Sequence, residues 1–191
     1  MIARPPLIPT ALVLAAACVM VALGIWQLGR AGWKADLIEH HQRALATTDE
    51  VAFPYAQEDQ PGALYRRSSL TCHRVIESSA IAGRNAQGAP GWAQTALCGT
   101  AGGEAMIVLG WSRDPASVAW AGGKVAGVIV PAGDGVRLAA YPPLAGLQPL
   151  ERPDPRDLPN NHLAYAVQWF VFAATALIIY GLALRKRNKS G

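Results

Sequence analysis

Two long stretches of this sequence carry no charge. Between Leu7 and Leu28, and again between Leu163 and Leu184, there is no Asp, Glu, Lys or Arg. Acidic residues are missing from both ends of the chain; all 13 lie between Gly29 and His162. Cysteine is scarce, at three, and no two stand at Cys-x-x-Cys spacing, which removes the common zinc and dithiol frameworks. There is no Gly-rich phosphate loop, no His-Glu-x-x-His and no Gly-x-Ser-x-Gly, so the standard machinery of nucleotide hydrolysis, zinc proteolysis and α/β-hydrolase chemistry is missing. Neighbours in a strand point to opposite faces, so Cys72 and His73 do not make a catalytic dyad. No internal repeat or low-complexity tract is present. These absences predict a protein that binds and not an enzyme.

The uncharged runs are the first positive feature. A helix rises ~1.5 Å per residue and a bilayer's hydrocarbon core is ~30 Å thick, so each run is long enough to span. The sequence predicts transmembrane helices over 7–28 and 163–184, an extramembrane domain over 29–161, and a basic tail over 185–191. The first run exceeds the ~7–15 apolar residues of a signal core, and apolar sequence continues well past Cys18, which predicts an uncleaved anchor. The net charge of +4 belongs to the ends: Arg4 on one side, and Arg185, Lys186, Arg187 and Lys189 on the other. The middle holds 12 of the 17 Lys and Arg residues against all 13 acids, so it has no nucleic-acid footprint. Short basic flanks stay in the cytoplasm, which predicts both termini there and the domain on the far side.

Between the spans the texture changes twice. From Ala31 to Leu45 a modest amphipathic stripe, with Trp33 and Leu37, predicts that the first helix leaves the bilayer and runs on. From Ala63 to Tyr141 short apolar or alternating segments are separated by Gly-rich turns. Strands are expected at Tyr65–Ile76, Ser79–Arg84, Trp92–Cys98, Ala105–Trp111, Lys124–Val130 and Val136–Ala140, as an antiparallel sheet or small barrel. The fold class is therefore membrane α+β. Six prolines between Tyr141 and Asn161 make an extended connector, and Asn160 or Asn161 could cap the second helix with its side chain.

Cys72 and Cys98 both fall in expected strands. They read as a disulfide if the compartment is oxidising, or as two buried thiols. Cys18 reads as a small packing residue. His40 and His41 point ~100° apart on a helix, poor chelate geometry, and read as solvated. The cluster that suggests chemistry lies at the outer membrane edge. Trp26, Arg30 and Trp33 share one helical face, with Gln27 beside them; His162, Tyr165 and Trp169 share another. Interfacial tryptophan, tyrosine and arginine are ordinary in membrane proteins. Gln27 with His162 is less so, and a histidine among aromatics with a nearby cation suits a porphyrin.

The same residues carry a family resemblance. The first run closes Leu23-Gly24-Ile25-Trp26-Gln27-Leu28-Gly29-Arg30-Ala31-Gly32-Trp33-Lys34. The second opens Pro159-Asn160-Asn161-His162-Leu163-Ala164-Tyr165-Ala166-Val167-Gln168-Trp169-Phe170. Between them come Gly83-Arg84 with Gly88-Ala89-Pro90-Gly91-Trp92, and Val108-Leu109-Gly110-Trp111-Ser112-Arg113. In this order, and over nearly the whole chain, they resemble the bacterial form of the Surfeit-locus family of cytochrome c oxidase biogenesis proteins. The resemblance implies a factor of the bacterial inner membrane that matures oxidase subunit I, with subunit I and haem A synthase as partners. It implies a haem a site with His162 on the iron and Trp26, Arg30, Tyr165 and Trp169 around it. One departure is Leu109, where the family's fourth motif usually has arginine. Two other readings stay open: a copper-delivery factor using Cys72, His73 and Cys98, and a scaffold that holds oxidase subunits without a cofactor.

Overall fold

The computed structural model describes residues 6–190. Arg4 and Gly191, the outermost parts of the two basic flanks, lie outside the described residues. The chain forms two compact units. One takes in the residues up to Ile38 together with those from Leu158 onward; the other is Glu39–Asp157.

The first unit is a helix pair. Helix α1 runs unbroken over Leu7–Ala46, so the stretch from Ala31 is helical as its amphipathic stripe requires. Helix α3 covers His162–Ser190. Both are long and apolar enough to cross a membrane. They run antiparallel, because contacts climb one helix while descending the other. Thr10 Oγ1 meets the Tyr180 hydroxyl at 2.6 Å, Gln27 meets His162, and Asn160 Nδ2 donates to the Ala31 carbonyl at 3.3 Å. Ala17 and Gly24 are buried on α1, Ala166 and Ala173 on α3. Thr10, Ala17, Gly24 and Ala31 recur at seven-residue intervals, as do Ala166, Ala173 and Tyr180. That period keeps one seam facing its partner, and small residues let two backbones approach. At Gly24 the approach is tight: a Cβ there would stand 2.7 Å from Phe170 Cε1. Leucines, isoleucines and valines cover the outside, Leu12, Ile25, Leu163 and Ile178 among them, all exposed.

The second unit is a seven-stranded sheet with strand order β1-β2-β6-β7-β5-β4-β3. The strands are β1 (Glu50–Val51), β2 (Arg67–Cys72), β3 (Arg74–Arg84), β4 (Pro90–Thr100), β5 (Gly103–Ser112), β6 (Gly123–Ala132) and β7 (Gly135–Ala140), with a single helical turn, α2 (Gln60–Ala63), before β2. The expectation of an antiparallel sheet needs correction, for the sheet is mixed. β1 runs parallel to β2 and β5 runs parallel to β7; the remaining pairs are antiparallel. The chain leaving β5 passes over one strand position before forming β6. The β6–β7 hairpin then folds back into that gap, which leaves β7 pointing the same way as β5. The first two expected strands also shift: the break falls at His73, not after Ile76.

Only His73 separates β2 from β3, although they lie at opposite sides of the strand order. The sheet therefore curls until a single residue joins its two sides, and the His73 amide donates to Gly99 O on β4 at 3.0 Å. Inside the curl lie Leu70, Ala96, Ile107, Leu109, Val125, Ile129 and Leu138. Cys72 and Cys98 form a disulfide there, linking β2 to β4, which share no backbone ladder. Gln94 faces Gly110 while Thr95 faces Val108, so Leu109 is the extra residue of a bulge in β5. It is only 1% exposed. An arginine at 109 would put a charge in this core, so the departure from the family motif suits the packing here.

A candidate ligand site on the helix pair

His162 is the first residue of α3, and Tyr165's amide bonds to the carbonyl of Asn161 just before it. The Asn160 side chain does not cap this turn as expected. Its amide reaches across to Ala31, and its Oδ1 is buried without a partner. One residue pair further into the seam, His162 Nδ1 lies 2.7 Å from Gln27 Oε1. Because an amide oxygen only accepts, Nδ1 carries the proton and donates. Nε2 has no hydrogen-bond partner among the described residues, and in the neutral form of the ring it carries the lone pair. The spacing is set by neighbouring packing: Gly24 lies one turn before Gln27, Ala166 one turn after His162, and both are buried.

The other residues expected here lie close by in sequence but are not all drawn together. The Arg30 guanidinium stacks 4.4 Å from the Trp33 ring centre on the same helix. It has no carboxylate partner among the described residues. Trp26 and Tyr165 are exposed, at 57% and 52%. Trp169 packs edge-on against Phe172, with centroids 6.2 Å apart. Among the described residues no aromatic ring stacks on His162. The arrangement therefore offers one preset imidazole nitrogen, one free cation and several open aromatic faces. This donor set fits a haem: a neutral nitrogen for iron, apolar rings for a macrocycle, and a cation for a propionate.

One expectation for the remaining histidines changes. His40 is exposed, but His41 is 5% exposed and not solvated. Its ring sits 4.8 Å from that of Tyr65, a residue held at φ 62°. Burial, together with the charges of Asp157 and Asp154, raises the Tyr65 phenol above its ordinary pKa. A single histidine near a helix end gives no periodic signal, so its burial was not legible. The inner two sequence motifs meet within the sheet: Trp92 pairs with Ser112 across β4 and β5, and the Trp111 indole covers Gly91 so closely that no Cβ would fit. They pack the sheet unit and do not form part of the helix-pair cluster.

A pair of apolar helices bonded through an amide and a histidine, with a disulfide-linked sheet inserted between them in sequence, describes a candidate membrane-anchored binding protein. The sequence model of the SURF1 family matches residues 14–174, and the chain belongs to this family, which is associated with cytochrome c oxidase assembly. No single curated protein matches the chain significantly.

Proposed function

We propose that this protein is a cytochrome c oxidase assembly factor that binds haem a at the helix pair and passes it to, or keeps it in, subunit I. The supporting observation is the His162 ring, whose Nδ1 is engaged by Gln27 and whose Nε2 has no hydrogen-bond partner among the described residues. His162 would hold the iron, Trp26, Tyr165 and Trp169 would cover the macrocycle, and Arg30 would meet a propionate. When bound, haem a would supply an iron that an imidazole nitrogen can ligate and an apolar ring system that favours a lipid-like setting. The chain's part is binding and orientation, with no catalytic step. Haem A synthase is the natural donor in this reading and subunit I the recipient.

The helices would span the bacterial inner membrane, with both termini cytoplasmic and the sheet unit periplasmic. The exposed leucines and isoleucines support spanning. A Cys72–Cys98 bridge suits an oxidising compartment, and it also counts against copper delivery, which needs free thiolates. A reporter active only outside the cytoplasm should work when fused at Pro131 and fail at Gly191; activity from Gly191 would reject the orientation.

The haem reading is tested by spectra. Protein from cells that make haem a, purified in mild detergent, should show reduced haem a bands that His162→Ala abolishes in folded, inserted protein. A cofactor-free scaffold would show no bands in either sample.

A further inference from the structure

We infer that Gln27 is the positioning residue for His162: its amide oxygen holds the Nδ1 proton, so that the Nε2 lone pair is left to face iron. This inference rests on the haem reading above.

Three observations carry it. The 2.7 Å contact is the one hydrogen bond of the His162 side chain among the described residues, and it joins two helices through residues 135 apart in sequence. The contact lies one turn from a close approach in the seam, Gly24 against Phe170, so the helices cannot draw apart locally without losing that fit. The helix segments that meet here also carry no carboxylate among the described residues. No acidic residue occurs on α1 before Asp36 or anywhere on α3. The polar groups at this end of the seam are the amides of Gln27 and Asn160 and the carbonyl of Ala31.

The physical consequence has two parts. Free imidazole favours the Nε2–H tautomer, which cannot ligate through Nε2. An acceptor on Nδ1 reverses that preference and fixes the ring plane. A carboxylate acceptor would do the same and would also raise the ring's basicity. An amide orients the ring with little gain in basicity. Such a residue would orient the ring toward haem without the added ligand strength that a carboxylate partner gives.

Full-length protein in nanodiscs, haem-free and labelled with nitrogen-15 at histidine, reports the tautomer directly. The measurement is made well above the imidazole titration range, and His162→Ala assigns the signal. Wild type should show His162 as the Nδ1–H tautomer. Gln27→Leu should shift it to Nε2–H, and Gln27→Glu should keep Nδ1–H. In haem a titrations, Gln27→Leu should bind about tenfold to a hundredfold more weakly, the usual cost of losing such an outer partner. Gln27→Glu should bind ferric haem more tightly than wild type and lower its reduction potential. A wild-type tautomer and wild-type affinity in Gln27→Leu would overturn the role of Gln27 alone. Undiminished haem in His162→Ala would instead overturn ligation itself, and the positioning role with it.

Discussion

The helix pair and the sheet unit solve opposite packing problems with similar residues. In the sheet unit the large aliphatic side chains point inward: Ile107, Leu109, Val125, Ile129 and Leu138 are all fully buried. In the helix pair the buried residues are Ala17, Gly24, Ala166 and Ala173, while leucine and isoleucine face out. Burial of apolar surface from water organises the first kind of unit. It cannot organise the second if lipid surrounds it, because leucine gains nothing by leaving lipid for protein. There, close approach of small residues and a few polar contacts must hold the helices. A mean composition of 51% hydrophobic residues hides this inversion.

The sharpest way to break the comparison is to place the same charge in both units. Ile129→Asp would bury an unpaired carboxylate in the sheet core and should cost more than about 4 kcal/mol, enough to unfold that unit. Ile178→Asp, on an exposed helix position, should leave the sheet unit's denaturation midpoint unchanged. It should lower membrane insertion by about 2.5–3.5 kcal/mol. Tryptophan emission during denaturation and carbonate extraction of membranes separate the two outcomes. Equal unfolding of the sheet unit by both variants would contradict the contrast.

Removing the disulfide by Cys72→Ala with Cys98→Ala comes next. The bridge closes a sequence separation of 26 residues. The chain-entropy account assigns a loop of that size about 3–4 kcal/mol. The loss should appear in the sheet unit's unfolding and not in the helix pair. Gly24→Leu acts in the other direction. Crowding Phe170 should cost about 1–3 kcal/mol of helix pairing. In a Cys18→Ala background, disulfide trapping between Thr10→Cys and Tyr180→Cys should then fall, with the sheet unit's midpoint unmoved.

The smallest effect belongs to Asp154. Hydrogen bonds donated by the Arg156 side chain, and by its backbone amide, hold the Asp154 carboxyl below its ordinary pKa. A lowered folded-state pKa contributes stability above the ordinary carboxylate range, and this is lost as pH falls through the lowered value. Asp154→Asn should therefore be slightly less stable than wild type at neutral pH, with the difference vanishing in acid. The Asp154 side chain is partly open to solvent, and screening there keeps the effect small.

Much of this was legible in the sequence. Charge-free runs fixed both long helices, and glycine turns placed six of seven strands within a few residues. The break at His73 was missed because no glycine or proline marks it; the bend comes from the curl of the sheet. Strand β1 has two residues, too few for any alternation to show. The parallel pairings depend on which strand fills the gap beside β5, a tertiary outcome with no local signature. At the candidate site, helical periodicity put Trp26, Arg30, His162, Tyr165 and Trp169 on plausible faces. It did not reveal that Gln27 meets His162, because that depends on the antiparallel offset of two helices. The heptad of small residues in α1 and α3 carries that offset once it is noticed.

The bridge between Cys72 and Cys98 also gives the chain a second route from end to end. The residues between the two cysteines form a closed covalent circuit, with one apolar helix attached before it and one after. A protease that cuts a single peptide bond anywhere within 73–97, including beside the exposed His73, opens the loop without separating the pieces. The two helices would stay covalently tethered through sulfur until a reductant opened the bridge.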